Sequence, residues 1–279
     1  MTAALTIAGL TVREAVRRRL LLAFMAITVT IVGLSAWGFE RLSHAHTITS
    51  GEQQLAVPEA LVLFMFMFSF VVALSASAIA APAVSSEIES GVLMTILTRP
   101  VRRFEVLIGK WLGLAVLLAG YAAAVCALEF GVVDLVSNYL PPQPELVAAY
   151  LLGEGLLLLT LALALSTRLP MIAGGVIGVA IFGAGWLAGI VGTLGSAFNI
   201  AALRTIGQVG RYLLPTDGLW RGAIYYLESK SLIAERLTRG QADPFLAQHP
   251  PAWPYLLWVV CWFALVLALG IISFERREL

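Results

Sequence analysis

Six stretches of this 279-residue chain are long, apolar and almost free of charge, over 20–39, 60–84, 106–133, 146–166, 169–193 and 255–274. About 20 such residues are what an α-helix needs to cross the hydrocarbon core of a bilayer. No water is available there, so every backbone N–H and C=O must be satisfied internally, and a run of this kind is read as a helix. Composition agrees. Charged residues are 13% of the chain, against roughly 25% in a soluble domain. The expected fold is therefore all-α: a polytopic membrane protein with six transmembrane helices, forming one transmembrane domain over 1–279.

The positions of lysine and arginine orient it. Arg13, Arg17, Arg18 and Arg19 precede the first run; Arg99, Arg102, Arg103 and Lys110 lie between the second and third. Arg168 separates the fourth from the fifth, and Arg276 and Arg277 follow the sixth. The two short loops on the opposite side hold only Arg41. Basic residues collect on the cytoplasmic side of short loops, so both termini are expected in the cytoplasm, in a plasma (inner) membrane. The first run is too long for a signal-peptide core of about 7–15 residues, so it is read as an uncleaved span.

Parity places 194–254 outside. A segment of that length is translocated largely regardless of its charge. In it Ile200, Leu203, Ile206 and Leu213 recur at a roughly helical period, which predicts an amphipathic helix lying in the outer interface. Pro215 ends it, Asp217 can cap a second helix over 218–227, and 229–254 reads mostly as loop.

Several chemistries are excluded. No Gly-x-x-x-x-Gly-Lys-Ser/Thr motif is present, so the chain has no P-loop for ATP. No His-Glu-x-x-His occurs, and His44, His46 and His249 all lie outside the runs, where they cannot serve an intramembrane protease. A lipid head-group transferase would want a carboxylate cluster at the cytoplasmic face, where only Glu87 and Glu89 stand. Cys126 and Cys261 sit in apolar runs and read as small apolar side chains. His44-x-His46 lacks a third ligand nearby, and Met65 and Met67 point to different faces of a helix. No catalytic residue, metal site or cofactor is expected in this chain, and a net charge of +1 gives no reason to expect nucleic acid. Glu129 and Glu154 are different. Ionisable groups within spans are costly and often functional, so both are candidates for lining a pathway. Gly174-x-x-x-Gly178 and Gly185-x-x-x-Gly189 permit close helix approach, expected inside one subunit, with a dimer seam as the alternative.

The stretch 85–113 is the most informative. Ser86-x-x-Glu89 fits a capping box. Ile88, Val92 and Ile96, with Leu93 and Leu97, would give the helix it starts an apolar face, and Pro100 would stop it. Arg102 and Arg103 then lead into the third run. The reading is a short helix lying across the cytoplasmic surface.

Glu87, Gly91, Leu93, Leu97, Arg99, Pro100, Arg103, Gly109 and Lys110 together resemble the signature of ABC-2-type permeases, the membrane subunits of ATP-binding-cassette exporters. The resemblance extends over the chain, from the arginine-rich entry to the basic ending Phe274-Glu275-Arg276-Arg277-Glu278-Leu279. Leu214-Pro215-Thr216-Asp217, followed by Leu219-Trp220-Arg221, is similar to a segment of the branch that includes the permease of the copper-site maturation system of nitrous oxide reductase. The resemblance implies a non-enzymatic subunit that works as a pair with two cytoplasmic ATPase subunits, which carry the ATP and magnesium. It implies that 87–97 is a coupling helix, with Glu87, Ile88, Glu89, Gly91, Leu93, Leu97, Arg99, Pro100 and Arg103 coupling to the ATPase. Thr11 to Arg19, within a cytoplasmic segment 1–19, becomes an amphipathic elbow helix. The chain then divides into 20–193 with five spans, an extracytoplasmic helical segment 194–254, and 255–279 with the last span and tail. The substrate is unnamed, and an accessory protein on the outer segment is compatible with its size. Membrane lipid surrounds the whole. A membrane anchor or an intramembrane enzyme without transport activity is the alternative.

Overall fold

The computed structural model describes residues 2–17, 19–44, 50–91, 102–229, 233–234 and 247–277. Among them are ten helices: α1 Thr2–Val16, α2 Arg19–Ser43, α3 Ser50–Ala80, α4 Pro82–Glu89, α5 Arg103–Ser137, α6 Pro144–Ser166, α7 Met171–Ala197, α8 Ala201–Leu213, α9 Thr216–Leu227 and α10 Trp253–Glu275. Six segments are long and apolar enough to cross a membrane: Leu20–Ser43, Ala56–Glu89, Arg103–Ser137, Pro144–Ser166, Met171–Ala197 and Trp253–Glu275. Each contains or closely matches one of the six runs in the sequence.

The second span comprises α3 and α4. Pro82 has no N–H to donate, so the hydrogen-bond ladder lapses there and the helix restarts. A capping box at Ser86 is not formed. Ser86 lies inside α4, and its hydroxyl donates to the Pro82 carbonyl. The predicted start at Ser86 therefore falls within the last turns of span two, and 92–97 lies outside the described residues. α4 ends at Glu89 with Ser90 as its C-cap, and Gly91 follows with a φ of 74°, the left-handed conformation that glycine adopts just past a helix C-terminus.

Because the spans are even in number, both chain ends lie at one end of the bundle, here called the near end. Arg103 at the start of α5 meets the last turn of α10, and α1 crosses the first turns of α5. That crossing rests on Gly109 and Gly113. A Cβ on Gly109 would stand 2.7 Å from the Ala4 carbonyl oxygen, and one on Gly113 would stand 2.6 Å from that of Ala8. Two glycines four apart let the backbones touch, and this is the physical reason for glycine in the Gly109-Lys110 pair.

The interior of the bundle is α3, α5 and α6, with Phe68, Leu118, Leu158 and Leu159 fully buried between them. Met65 is fully buried while Met67 is 46% exposed, as their i, i+2 spacing requires. α2, α7 and α10 sit around this core and leave much apolar surface outward, as lipid-facing helices do.

Between the fifth and sixth spans the structure departs from expectation. α8 does not lie flat in an interface. It folds back along α7, turning at Asn199 with φ 55°. A Cβ on Gly192 would be 2.8 Å from the Gly207 Cα, one on Gly195 would be 2.5 Å from the Arg204 nitrogen, and Gly210 abuts Ala188. Partner numbers fall as α7 numbers rise, so the pair is antiparallel. The inward face of α8 is Leu203, Arg204, Gly207, Gly210 and Arg211, whereas Ile206, Val209 and Leu213 are exposed. Leu203, assigned by its period to the apolar face, points to α7 instead. α9 then runs back outward, placing Leu219 beside Gly153 and Gly222 beside Tyr150 of α6.

Candidate functional site

Two charged assemblies stand at opposite ends of the bundle. At the near end, Lys110 is 5% exposed and its ammonium donates to the Ala83 carbonyl at 2.6 Å. It also pairs with Glu87 Oε1 at 2.6 Å. A lysine this buried is stable only because both contacts replace its hydration. The ion pair ties the end of α4 to the second turn of α5, so Glu87 does not project freely from the near end. Glu89 follows on the surface, Ile88 packs partly against the core, and Gly91 lies just past the helix end. Leu93, Leu97, Arg99 and Pro100 lie outside the described residues. Beyond that gap, the Arg102 N–H donates to Glu105 Oε2 at 3.1 Å, which caps α5.

Arg103 also turns inward. Its Nη1 donates to the carbonyls of Phe274, Glu275 and Arg277 at 3.2, 3.1 and 2.7 Å. These are carbonyls at the C-terminus of α10, where the helix ladder runs out and its negative dipole end lies. Arg277 in turn donates to the Thr167 carbonyl in the turn between α6 and α7. Arg168 Nε donates to Ser273 Oγ at 2.9 Å, and the Thr167 and Ser273 hydroxyls are 3.1 Å apart.

At the far end, the Asp217 carboxylate is buried where α7, α8 and α9 meet. Its Oδ2 accepts from Arg211 Nε at 3.2 Å and Arg221 Nε at 3.0 Å. Arg221 Nη2 also donates to Thr193 Oγ1 at 2.7 Å. A Cβ on Gly189 would overlap this carboxylate, so Gly189 is the slot that admits it. Asp217 therefore does more than start a helix: it joins two arginines to a third element. Gly189 is eight residues before Ala197 at the end of α7, which puts the cluster about 12 Å below that end. The C-terminus of α8 ends at similar depth, where unpaired carbonyls are expensive. Three aromatic side chains of α10 satisfy them. The Tyr255 hydroxyl donates to Pro215 O at 3.1 Å and Arg211 O at 3.3 Å, Trp258 Nε1 to Tyr212 O at 2.9 Å, and Trp262 Nε1 to Leu213 O at 2.9 Å.

Glu129 and Glu154 are not brought together. Glu129 is fully buried on α5 and accepts from Ser35 Oγ of α2 at 2.9 Å. Glu154 is 3% exposed on α6 and accepts from Ser69 Oγ of α3 at 2.8 Å. Glu129 does not reach the far-end surface. Span-five glycines work within the subunit, with Gly178 against Ser77 and Ala162, and Gly185 and Gly189 against Thr216 and Asp217. His44 is exposed after α2, and His46 lies outside the described residues. Among the described residues no three His, Cys, Asp or Glu side chains gather in a way that could hold a metal ion. Near the far surface, burial, and then the Glu228 charge, hold the Tyr139 hydroxyl above its ordinary pKa, and it donates to Leu227 O at 2.7 Å.

The sequence reading missed three features. Gly109 and Gly113 form a contact for α1 that their four-residue spacing could have revealed. The α7–α8 hairpin was signalled by Gly207 and Gly210 on the same helix face as Arg204 and Arg211. The C-cap role of Arg103 had no local signal, because its partners lie more than 170 positions away.

Six apolar helices with charged clusters at both ends define a multi-pass membrane protein. The chain belongs to the ABC-2 transporter family: the family model described as ABC-2 family transporter protein matches residues 5–279. It is accordingly a permease subunit of an ABC transporter, a family that works with a cytoplasmic ATPase subunit. No curated protein matches the chain.

Proposed function

We propose that this permease couples ATP hydrolysis on a separate ATPase to outward movement of a substrate across the plasma (inner) membrane, as a two-plus-two complex of permeases and ATPases. The observation that carries it is the family match over nearly the whole chain, with the signature segment emerging at the charged near end. In this reading the near end is cytoplasmic and α1 is the elbow helix. The coupling segment runs from Glu87 and Ile88 through Glu89, Gly91, Leu93, Leu97, Arg99 and Pro100 to Arg103. Nucleotide-driven closure of the ATPases pulls on that segment and shifts the spans. Glu129 and Glu154 are groups that this motion uncovers to the pathway; at rest each is covered by one serine. The segment between the fifth and sixth spans would set substrate choice or receive an extracytoplasmic accessory protein. Copper- or sulfur-linked maturation, in keeping with the branch resemblance of Pro215-Thr216-Asp217, is one substrate class, and lipid, drug or peptide export are others.

The test is affinity purification of the tagged chain from its native host in mild detergent. An ATPase at equal molar ratio is the expected result. A chain that purifies without ATPase, while its neighbouring genes are expressed, would overturn the proposal.

A further inference from the structure

We propose that Arg103 is a positioning residue acting on the last span, and that the C-terminal arginine segment is a working part of the coupling path. This rests on the permease reading above and adds to it a route inside the subunit.

The observations are geometric. The segment 92–101 leaves α4 just after one charged contact and enters α5 just before another. Upstream, Glu87 is tied to Lys110. Downstream, Arg103 is tied to three carbonyls of the α10 terminus. Both ends of the signature segment are thus fastened to the first two turns of α5. The downstream contact does not stop at α10. Arg277 carries it to the Thr167 carbonyl, and Ser273 meets both Thr167 and Arg168. One chain of contacts therefore joins the start of span three, the end of span six and the turn between spans four and five.

The chemistry suits a joint that shifts without breaking. Arg103 offers its Nη1 to three acceptors along one turn, so a small slide of α5 exchanges one carbonyl for the next. A guanidinium at a helix C-terminus is also favoured by the helix dipole, which holds the contact without a carboxylate partner. An arginine whose role was to grip the ATPase would project from the near end; this one is half-buried and turned toward the subunit's own last span. Pull on the segment is thereby delivered to α10 and to the α6–α7 turn together with α5.

The experiment uses the permease–ATPase complex in nanodiscs. Spin labels at Ser90→Cys and Ile272→Cys, both exposed, in a Cys126→Ser, Cys261→Ser background, report the distance between the segment's start and the last span with and without ATP. Arg103→Ala is expected to keep ATPase at the ratio of the unsubstituted complex and to bind ATP. It should lose most of the ATP-dependent distance change and lower coupled turnover about tenfold, within the usual range of coupling between sites. Arg103→Lys should restore most of the change, since an ammonium still reaches the carbonyls. Arg277→Ala should show a weaker form of the same loss, and it carries the test if Arg103→Ala does not fold. Loss of ATPase from the Arg103→Ala complex would make Arg103 a docking contact and overturn the inference while leaving the permease reading intact. An unchanged distance response in both alanine variants would also overturn it. Absence of ATPase from the unsubstituted complex would overturn both readings.

Discussion

The two charged ends of this bundle are built differently. At the far end, one buried carboxylate receives two arginines, and glycines bring α7 and α8 into backbone contact and seat the α9 carboxylate against α7. Little can move there without a collision. At the near end, beside the Glu87–Lys110 pair, three arginines grip carbonyls and a hydroxyl. Arg103 and Arg277 reach successive or turn carbonyls, and Arg168 reaches a hydroxyl. Contacts of that kind have neighbours to slide to. The difference teaches that the far end is a fixed clasp, while the near end is where displacement can be absorbed and passed on.

The largest expected effect tests the clasp. Gly189→Val drives a side chain into the Asp217 carboxylate and should cost about 3 kcal/mol, read as a fall in the melting temperature of the detergent-purified protein. Asp217→Ala leaves Arg221 unpaired beside Gly189. About 2–3 kcal/mol is expected, the low end for breaking a buried pair because Arg211 is partly exposed. At the near end Lys110→Met should cost less, about 1–2 kcal/mol, since Glu87 keeps some exposure and can regain water. If Lys110→Met proves as damaging as Asp217→Ala, the contrast between the ends fails. Reversal of the exposed acidic residue alone, Glu89→Lys, which leaves the Glu87–Lys110 pair in place, sharpens it: ATPase recovery should fall severalfold, with a smaller stability loss than Asp217→Ala gives. Unchanged ATPase binding would remove Glu89 from the coupling surface.

The smallest effect is at Tyr139. Tyr139→Phe should cost about 1 kcal/mol by deleting its bond to the Leu227 carbonyl. The tyrosine's folded pKa is raised, so its contribution is fully present below about pH 10, its unfolded value, and is lost as pH rises through the higher folded value. A denaturation series from pH 8 to 11 should show the difference between Tyr139→Phe and the unsubstituted protein shrink at the alkaline end.

The six spans were legible because a long apolar run has few solutions in a membrane. Glu129 and Glu154 were legible as unusual for the same reason. Their serine partners were not, because Ser35 and Ser69 are ordinary residues until the fold sets them beside a carboxylate. Period alone misplaced α8. The rule that apolar residues face the protein holds in water, and here the polar face turns inward. Ser86 and Glu89 have capping-box spacing, but Pro82 had already restarted the helix upstream. The Pro215-Thr216-Asp217 segment was recognisable as a motif, yet its purpose appears only with Gly189, 28 positions earlier, beneath it.

The reversed polarity of α8 also bears on how the protein is made. Thirteen residues reach only about 20 Å, and Arg204 and Arg211 lower the apolarity further, so insertion machinery has no reason to release this helix into lipid by itself. Its surroundings must come first: α7 supplies the glycine track for its inward face, and α10, synthesised later, supplies the indoles that close its last carbonyls. The hairpin is therefore completed only after the final span arrives, which makes the end of the chain the step that finishes its middle.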